Sequence, residues 1–162
     1  MNNKHKTVFS PVYLGLGTNL GKREENMKTA LKKIEKQIGE IISQSAFYNS
    51  EPFGFASNNP FLNCAIAVNT NLSPIELLTT TQSIEREMGR TEKTDASGYS
   101  DRIIDIDILF YSYQLVDDAP QLVIPHPQIQ KRHFVLEPLA EIASNFVHPV
   151  LNKTIGQLLD EL

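Results

Sequence analysis

The chain of 162 residues is poor in cysteine and in long apolar runs, and neither sign of charge is in large excess. Cys64 is its one cysteine, so an intramolecular disulfide is impossible, a cysteine-built metal cage is excluded, and stability has to come from packing. No stretch approaches the roughly 20 apolar residues that span a bilayer. The opening MNNKHKTVFSPVYLGLG also lacks the apolar segment of a secretory signal, so a cytoplasmic protein without a membrane partner is expected. A formal net charge of −4 argues against a nonspecific nucleic-acid binder, which needs a basic face to displace counterions. The sequence has no repeat, low-complexity tract or charge block, and disorder is not expected.

What is present is ordinary globular composition, 41% hydrophobic and 21% charged, at a length that buries roughly 70% of the unfolded surface. A single domain over residues 1–162 is expected. Residues 8–15 form an apolar run closed by glycines and read as a first strand entering the loop GLGTNLG. From residue 24 to 38, Met27, Ala30, Leu31, Ile34 and Ile38 repeat at helical spacing, and Gly39 reads as the stop. Residues 41–48 read as a second strand, followed by the loop SEPFGFASNNP, whose length favours a functional role. Residues 61–69 alternate, placing Leu62, Cys64, Ile66 and Val68 on one face and Phe61, Asn63, Ala65 and Ala67 on the other.

SPIE at residues 73–76 is a capping box that opens a helix with Leu77, Thr81, Ile84 and Met88 along one side. Gly89 ends it, RTEKTDASGYSD is a polar loop, and residues 103–111 make the strongest strand pattern in the chain. Residues 122–124 read as a short strand, and residues 134–142 and 154–159 as final helices, the first made irregular by Pro138. Strand, helix, strand, strand, helix, strand is the order of a ferredoxin-like split βαβ unit. The expected class is therefore α+β, a mainly antiparallel sheet with helices on one face.

Strand periodicity aims the chemistry. In IIDIDILF, Ile104, Ile106, Ile108 and Phe110 take one face, so Asp105 and Asp107 share the other, with Cα atoms roughly 6–7 Å apart. Such a pair either faces water beside surface cations or holds a hard cation; inside an apolar strand the second reading gains, and Mg²⁺ with nucleotide phosphates suits two carboxylates. The loop GLGTNLGK matches neither the P-loop nor GxGxxG. Gly15 and Gly17 either turn a strand into a helix or approach a phosphate, and phosphates are left to side chains. Arg90, Lys93 and Arg102 precede the aspartate strand, while His126, Lys131 and Arg132 follow the next one. His126, between two prolines, suits a hydrogen bond to phosphate or a structural role equally. Gln82 and Glu85 lie off the apolar stripe of their helix and taken alone read as solvent-facing.

LGLGTNLG, FYNSEPFG with FLNCAI, SPIELL with IEREMGR, DRIIDIDILFY and IPHPQIQKRHFVLEPLAEIA occur in this order along nearly the whole chain. Together they resemble the 6-hydroxymethyl-7,8-dihydropterin pyrophosphokinase family of folate biosynthesis. The resemblance implies ATP-dependent diphosphate transfer to the pterin, giving the pterin diphosphate and AMP. It further implies that Asp105 and Asp107 bridge two Mg²⁺ ions, with Gln82, Glu85, Arg90, Lys93, Tyr99, Arg102, Ile108, His126 and Arg132 around ATP. Arg102 and His126 would stabilise developing charge. Ser50, Pro52, Phe53, Phe61, Asn63 and Phe134 match the pterin site, with Phe53 and Phe134 stacking and Asn63 hydrogen bonding; a core-satisfying asparagine is the other reading of Asn63. The chain departs from the family before the aspartate strand, where GYSDR stands in place of Trp-Gly-Pro-Arg and Glu92 in place of a basic residue. ATP and the reduced pterin alcohol are the expected partners of a monomer. The rival classes are a noncatalytic nucleotide or metal sensor and a kinase moving only the γ-phosphate.

Overall fold

The computed structural model describes residues 11–51, 59–89 and 103–162. The first strand, β1 (Val12–Thr18), keeps going through Gly15 and Gly17, so these glycines are strand residues and the turn comes later, at Gly21. Helix α1 (Arg23–Gln37) follows and buries Met27, Ala30, Leu31 and Ile34. Gly39 does not terminate it in a left-handed cap. It opens β2 (Gly39–Gln44) where the chain passes so close to the next strand that a Cβ would stand 2.0 Å from the Asn69 carbonyl oxygen.

The second strand read over residues 41–48 is two strands, because pairing breaks after Gln44 and resumes one register later in β3 (Tyr48–Ser50). Strand β4 (Phe61–Thr70) pairs with both. Helix α2 (Pro74–Glu87) starts from the Ser73–Glu76 capping box with proline in its first turn. Then come β5 (Asp105–Tyr111), β6 (Val116–Asp118), β7 (Leu122–Ile124), a 3₁₀ turn (Ile129–Lys131), α3 (His133–Ala143) and α4 (Ile155–Asp160). Of these β6 lies outside every strand expected from the pattern; it pairs with β7 as a separate ribbon.

The main sheet runs β2-β4-β1-β5 with all pairs antiparallel and β3 also on β4, the expected α+β arrangement. Helices cover both faces, however, and not one. Leu14, Leu16, Cys64, Ile66, Ile106 and Ile108 pack under α1 and α2. Tyr13, Ala65, Ala67, Leu109 and Phe110 pack under α3 and α4. The second layer exists because the alternate face of β4 is also apolar, and α3 is apolar enough to cover it.

One irregularity decides where side chains point in β5. Leu14 pairs with Ile108 but Tyr13 pairs with Phe110, so Leu109 is an extra residue in β5. Such a bulge flips the parity beyond it. Phe110 therefore joins the α3/α4 face with Leu109, opposite Ile106 and Ile108. Asp105 and Asp107, ahead of the bulge, keep the face that the period-two pattern predicts.

Candidate functional site

β1 is the central strand, and its two glycines lie in register with both sets of candidate residues. Gly17 pairs with Asp105 on one side and Asn63 on the other; Gly15 pairs with Asp107 and Ala65. Cross-strand partners share a face. Two glycines in the middle strand thus leave a side-chain-free floor between a carboxylate pair and an amide, open toward α3. A Cβ on Gly17 would stand 3.3 Å from Asn63 Oδ1 and 3.5 Å from Phe61, and one on Gly15 3.3 Å from Leu109.

The cleft above this floor is lined by Ser50, Phe61, Asn63, Asp105, Asp107, Arg132 and Phe134, with Val135 and Pro138 of α3 as its apolar roof. Asn63 is 5% exposed; its Nδ2 donates to Ser50 Oγ at 2.6 Å, leaving Oδ1 over the glycine floor. Arg132 stands at the N-terminal boundary of α3 with its guanidinium 5.6 Å from the Phe134 ring centroid. Burial lowers the Arg132 pKa, a cost that an anionic neighbour or ligand offsets. Cys64 follows Asn63 on β4 but packs its side chain on the opposite, α1/α2 face, where burial pushes the thiol up to about 11, so it is inert.

His126 is tied by its backbone N–H to the Leu109 carbonyl at the bulge (3.0 Å). Burial lowers its pKa, against the opposing pull of Asp105. Its Nδ1 accepts the Gln128 N–H at 3.2 Å, so the neutral ring carries its proton on Nε2 and is a hydrogen-bond donor there.

Glu85 is 7% exposed and not solvent-facing, and its Oε2 accepts the backbone N–H of Ile106 at 2.8 Å. Among the described residues β5 has β1 on one side only, so this buried carboxylate satisfies a donor on the strand's other edge, midway between the two aspartates. Gln82 is exposed on the same helix. The Ile108 side chain is buried under α1 and α2, on the face opposite Asp105 and Asp107, so the structure does not bring it into this cleft. Pro52, Phe53, Arg90, Lys93, Tyr99 and Arg102, with the atypical loop 91–101, lie outside the described residues. Pattern reading missed the glycine floor, Glu51 on the cleft wall and Pro138 in its roof. The signal for the floor was present in the alternation G-L-G inside an apolar run.

Among the described residues no cluster of three or more His, Cys, Asp or Glu is disposed to cage a metal. Two hard carboxylates beside an open floor are an incomplete shell, which fits Mg²⁺, an ion that commonly takes one or two carboxylates and completes its octahedron with water and substrate phosphate.

A split βαβ sheet that brings two carboxylates and an amide-aromatic set into one cleft suits a small phosphotransferase. The family model for 7,8-dihydro-6-hydroxymethylpterin-pyrophosphokinase matches residues 13–144. A Porphyromonas gingivalis protein named 2-amino-4-hydroxy-6-hydroxymethyldihydropteridine pyrophosphokinase is 45% identical over 138 residues, covering 85% of this chain and 93% of that protein. The folic acid synthesis protein FOL1 of Dictyostelium discoideum is 43% identical over 147 residues, 91% of this chain but 22% of its own length. A solved Plasmodium falciparum HPPK-DHPS chain shares the fold with TM-score 0.77 at 19% identity, over 93% of this chain and 44% of that one. The chain belongs to the 7,8-dihydro-6-hydroxymethylpterin-pyrophosphokinase family and is an enzyme of folate biosynthesis that transfers a pyrophosphoryl group.

Proposed function

We propose that this cleft seats Mg-ATP against Asp105 and Asp107 and the reduced hydroxymethyl pterin against Asn63, Ser50, Phe61 and Phe134. What carries the reading is the register row Asp105–Gly17–Asn63, which sets the two compartments on either side of a bare strand. Asn63 Oδ1 accepts from an N–H edge of the flat heterocycle, and the Phe134 ring offers it a face. The hydroxymethyl oxygen attacks the β-phosphorus of ATP. A new O–P bond forms as the bond from that phosphorus to the α–β bridging oxygen breaks, AMP leaves with the bridging oxygen, and the hydroxyl proton passes to water. Asp105 and Asp107 would hold two Mg²⁺ ions, which supply charge neutralisation on the phosphate oxygens and acidify a coordinated hydroxyl.

The rest of the catalysis is positioning and electrostatics from the chain itself. His126 donates through Nε2 as a neutral ring, and Arg132, a lining residue of the cleft beside Phe134, supplies a positive charge there. Gln82, Arg90, Lys93, Tyr99 and Arg102 complete the nucleotide side of the proposal, and Pro52 and Phe53 the pterin side. A monomeric domain suffices, since every group named belongs to one chain.

The deciding assay incubates the protein with ATP, Mg²⁺ and 6-hydroxymethyl-7,8-dihydropterin and separates the nucleotides. AMP in equal amount to pterin diphosphate is expected; ADP would mean γ-phosphate transfer, and no turnover would mean a binding module. Asp105→Ala and Asp107→Ala should each abolish turnover while pterin binding persists, and retained turnover in either would remove the metal assignment.

A further inference from the structure

β3 is a three-residue strand with a single ladder partner, β4, among the described residues. Three ladder pairs are too few to hold a strand edge rigidly. Yet β3 carries Ser50, whose Oγ accepts from Asn63 Nδ2 at 2.6 Å, and the Tyr48 carbonyl, which lies 3.5 Å from the same nitrogen. The direction of the Asn63 amide therefore depends on where β3 sits.

Two side chains far apart in sequence hold β3 from opposite faces of the sheet. Glu141 reaches from α3. Its Oε1 and Oε2 accept the Ala46 N–H, at 3.1 and 3.2 Å, and Oε1 accepts the Tyr48 hydroxyl. Ala46 lies in the break between β2 and β3, where the chain leaves the ladder, so Glu141 replaces a strand partner that the break removes. It also lies seven residues after Phe134 and three after Pro138, on the stripe of α3 that roofs the cleft. The bond to Glu141 raises the Tyr48 phenol to about 12, which keeps it a donor throughout the physiological range.

Arg23 reaches from α1. Its Nη1 donates to Asn49 Oδ1 at 3.0 Å and to the Pro60 carbonyl at 3.1 Å, thus joining β3 to the residue before β4. These two residues adjoin Ser50 and Phe61, the last register pair of the hairpin and both lining residues of the cleft. Arg23 is the first residue of α1, where a cation opposes the helix dipole. Its placement costs the helix a little, and the hairpin is what benefits.

We infer that Arg23 and Glu141 are positioning residues that clip β3 from both sides and so hold Ser50 and Asn63 in the orientation that receives the pterin. Neither touches the proposed substrates. The inference rests on the pterin reading of the Asn63 compartment, and ATP binding at the aspartates should be indifferent to both residues.

The test compares wild type, Arg23→Ala, Glu141→Ala and Glu141→Gln. Hydrogen exchange of the ligand-free proteins should show residues 48–50 losing protection in both alanine variants, while the β4 and β1 core amides stay protected. Direct pterin binding and the pterin KM should weaken about five- to tenfold in each alanine variant, the effect of losing one or two modest hydrogen bonds from a binding-competent state. kcat and the ATP KM should not move. Glu141→Gln keeps an acceptor and should recover most of the pterin affinity. Unchanged exchange at residues 48–50, or equal weakening of ATP and pterin, overturns the clip. Wild-type protein that binds ATP and Mg²⁺ but not the pterin overturns the compartment assignment itself, while the exchange data still report on the clip.

Discussion

Gly17→Ala is the most informative single substitution in this molecule because it adds one methyl group to the floor between the two compartments. Its backbone is ordinary extended strand, so alanine meets no conformational barrier, and loss of chain entropy in the unfolded state favours it by about 0.4–1 kcal/mol. Against this, the new Cβ would lie 3.3 Å from Asn63 Oδ1 and 3.5 Å from Phe61. Contacts that tight make the neighbours give by a few tenths of an ångström, and both neighbours are cleft groups that need not support the core. Net stability should change by less than about 1 kcal/mol. The site has less room to yield, because a bound heterocycle would press Asn63 from above. Overpacking there is worth about 1–3 kcal/mol, which is roughly 5- to 150-fold in pterin affinity. Urea unfolding read beside steady-state kinetics, varying pterin and ATP separately, gives both numbers. A raised pterin KM with near-normal stability and ATP KM is expected. A variant that binds pterin normally would refute the claim that the strand is bare to make room for substrate. So would one that loses several kcal/mol of stability, which would mean that Gly17 is there for the fold.

Gly39→Ala should behave oppositely: its Cβ would meet backbone, the Asn69 carbonyl at 2.0 Å, and the β2–β4 pairing must part, at a cost of about 3 kcal/mol or more visible as a lower urea midpoint. Glu85→Ala strips the Ile106 N–H of its acceptor and should cost about 1–3 kcal/mol, whereas Glu85→Gln should recover most of the stability in the same unfolding assay. His148, 4% exposed, accepts the Val150 and Leu151 N–H groups through Nδ1, and burial lowers its pKa. Because the unfolded chain binds this proton more tightly than the folded one, the stabilisation is complete above the unfolded value near 6.5 and is lost as pH falls toward the folded value. Unfolding free energies measured from pH 7.5 down to 5 should therefore decline in wild type more steeply than in His148→Asn, and parallel curves would contradict the buried neutral ring.

Strand parity was legible wherever a single chain segment determined it. Asp105 and Asp107 had to share a face because side chains alternate, and the same rule set Asn63 against Leu62 and Cys64. What the pattern does not hold is information that resides in a pairing partner. Phe110 changed faces because Tyr13 pairs beyond an extra Leu109, and only the β1 register reveals that. Gly15 and Gly17 gain their meaning the same way: in the sequence alone they read as a turn from strand into helix or an approach to a phosphate, while between Asp107 and Ala65, and between Asp105 and Asn63, they are a floor. Glu85 fell off its helix's apolar stripe and so read as wet, since a helical wheel cannot represent an open strand edge that needs an acceptor.

The same reasoning explains why the site sits on this face of the sheet. Leu16, Cys64 and Ile106 fill the α1/α2 face at the register where Gly15, Gly17, Asn63, Asp105 and Asp107 occupy the other. A sheet covered on both sides has room for ligands only where the second layer is withdrawn or its side chains are small. Toward Tyr13 and Phe110 the α3/α4 layer is closed by aromatic packing, with Tyr13, Phe110 and Phe146 in mutual contact. Toward Thr18 it opens, because two glycines replace side chains and α3 presents Phe134 and Pro138 as a roof. The bulge at Leu109 divides the two regimes, turning β5 from a strand with carboxylates on this face into one that contributes Phe110 to the core. One extra residue thus lets a single edge strand serve the cleft at one end and the second hydrophobic layer at the other. Deleting Leu109 should then fail doubly, by returning Phe110 to the occupied α1/α2 face and by unseating the His126 backbone contact made at the Leu109 carbonyl.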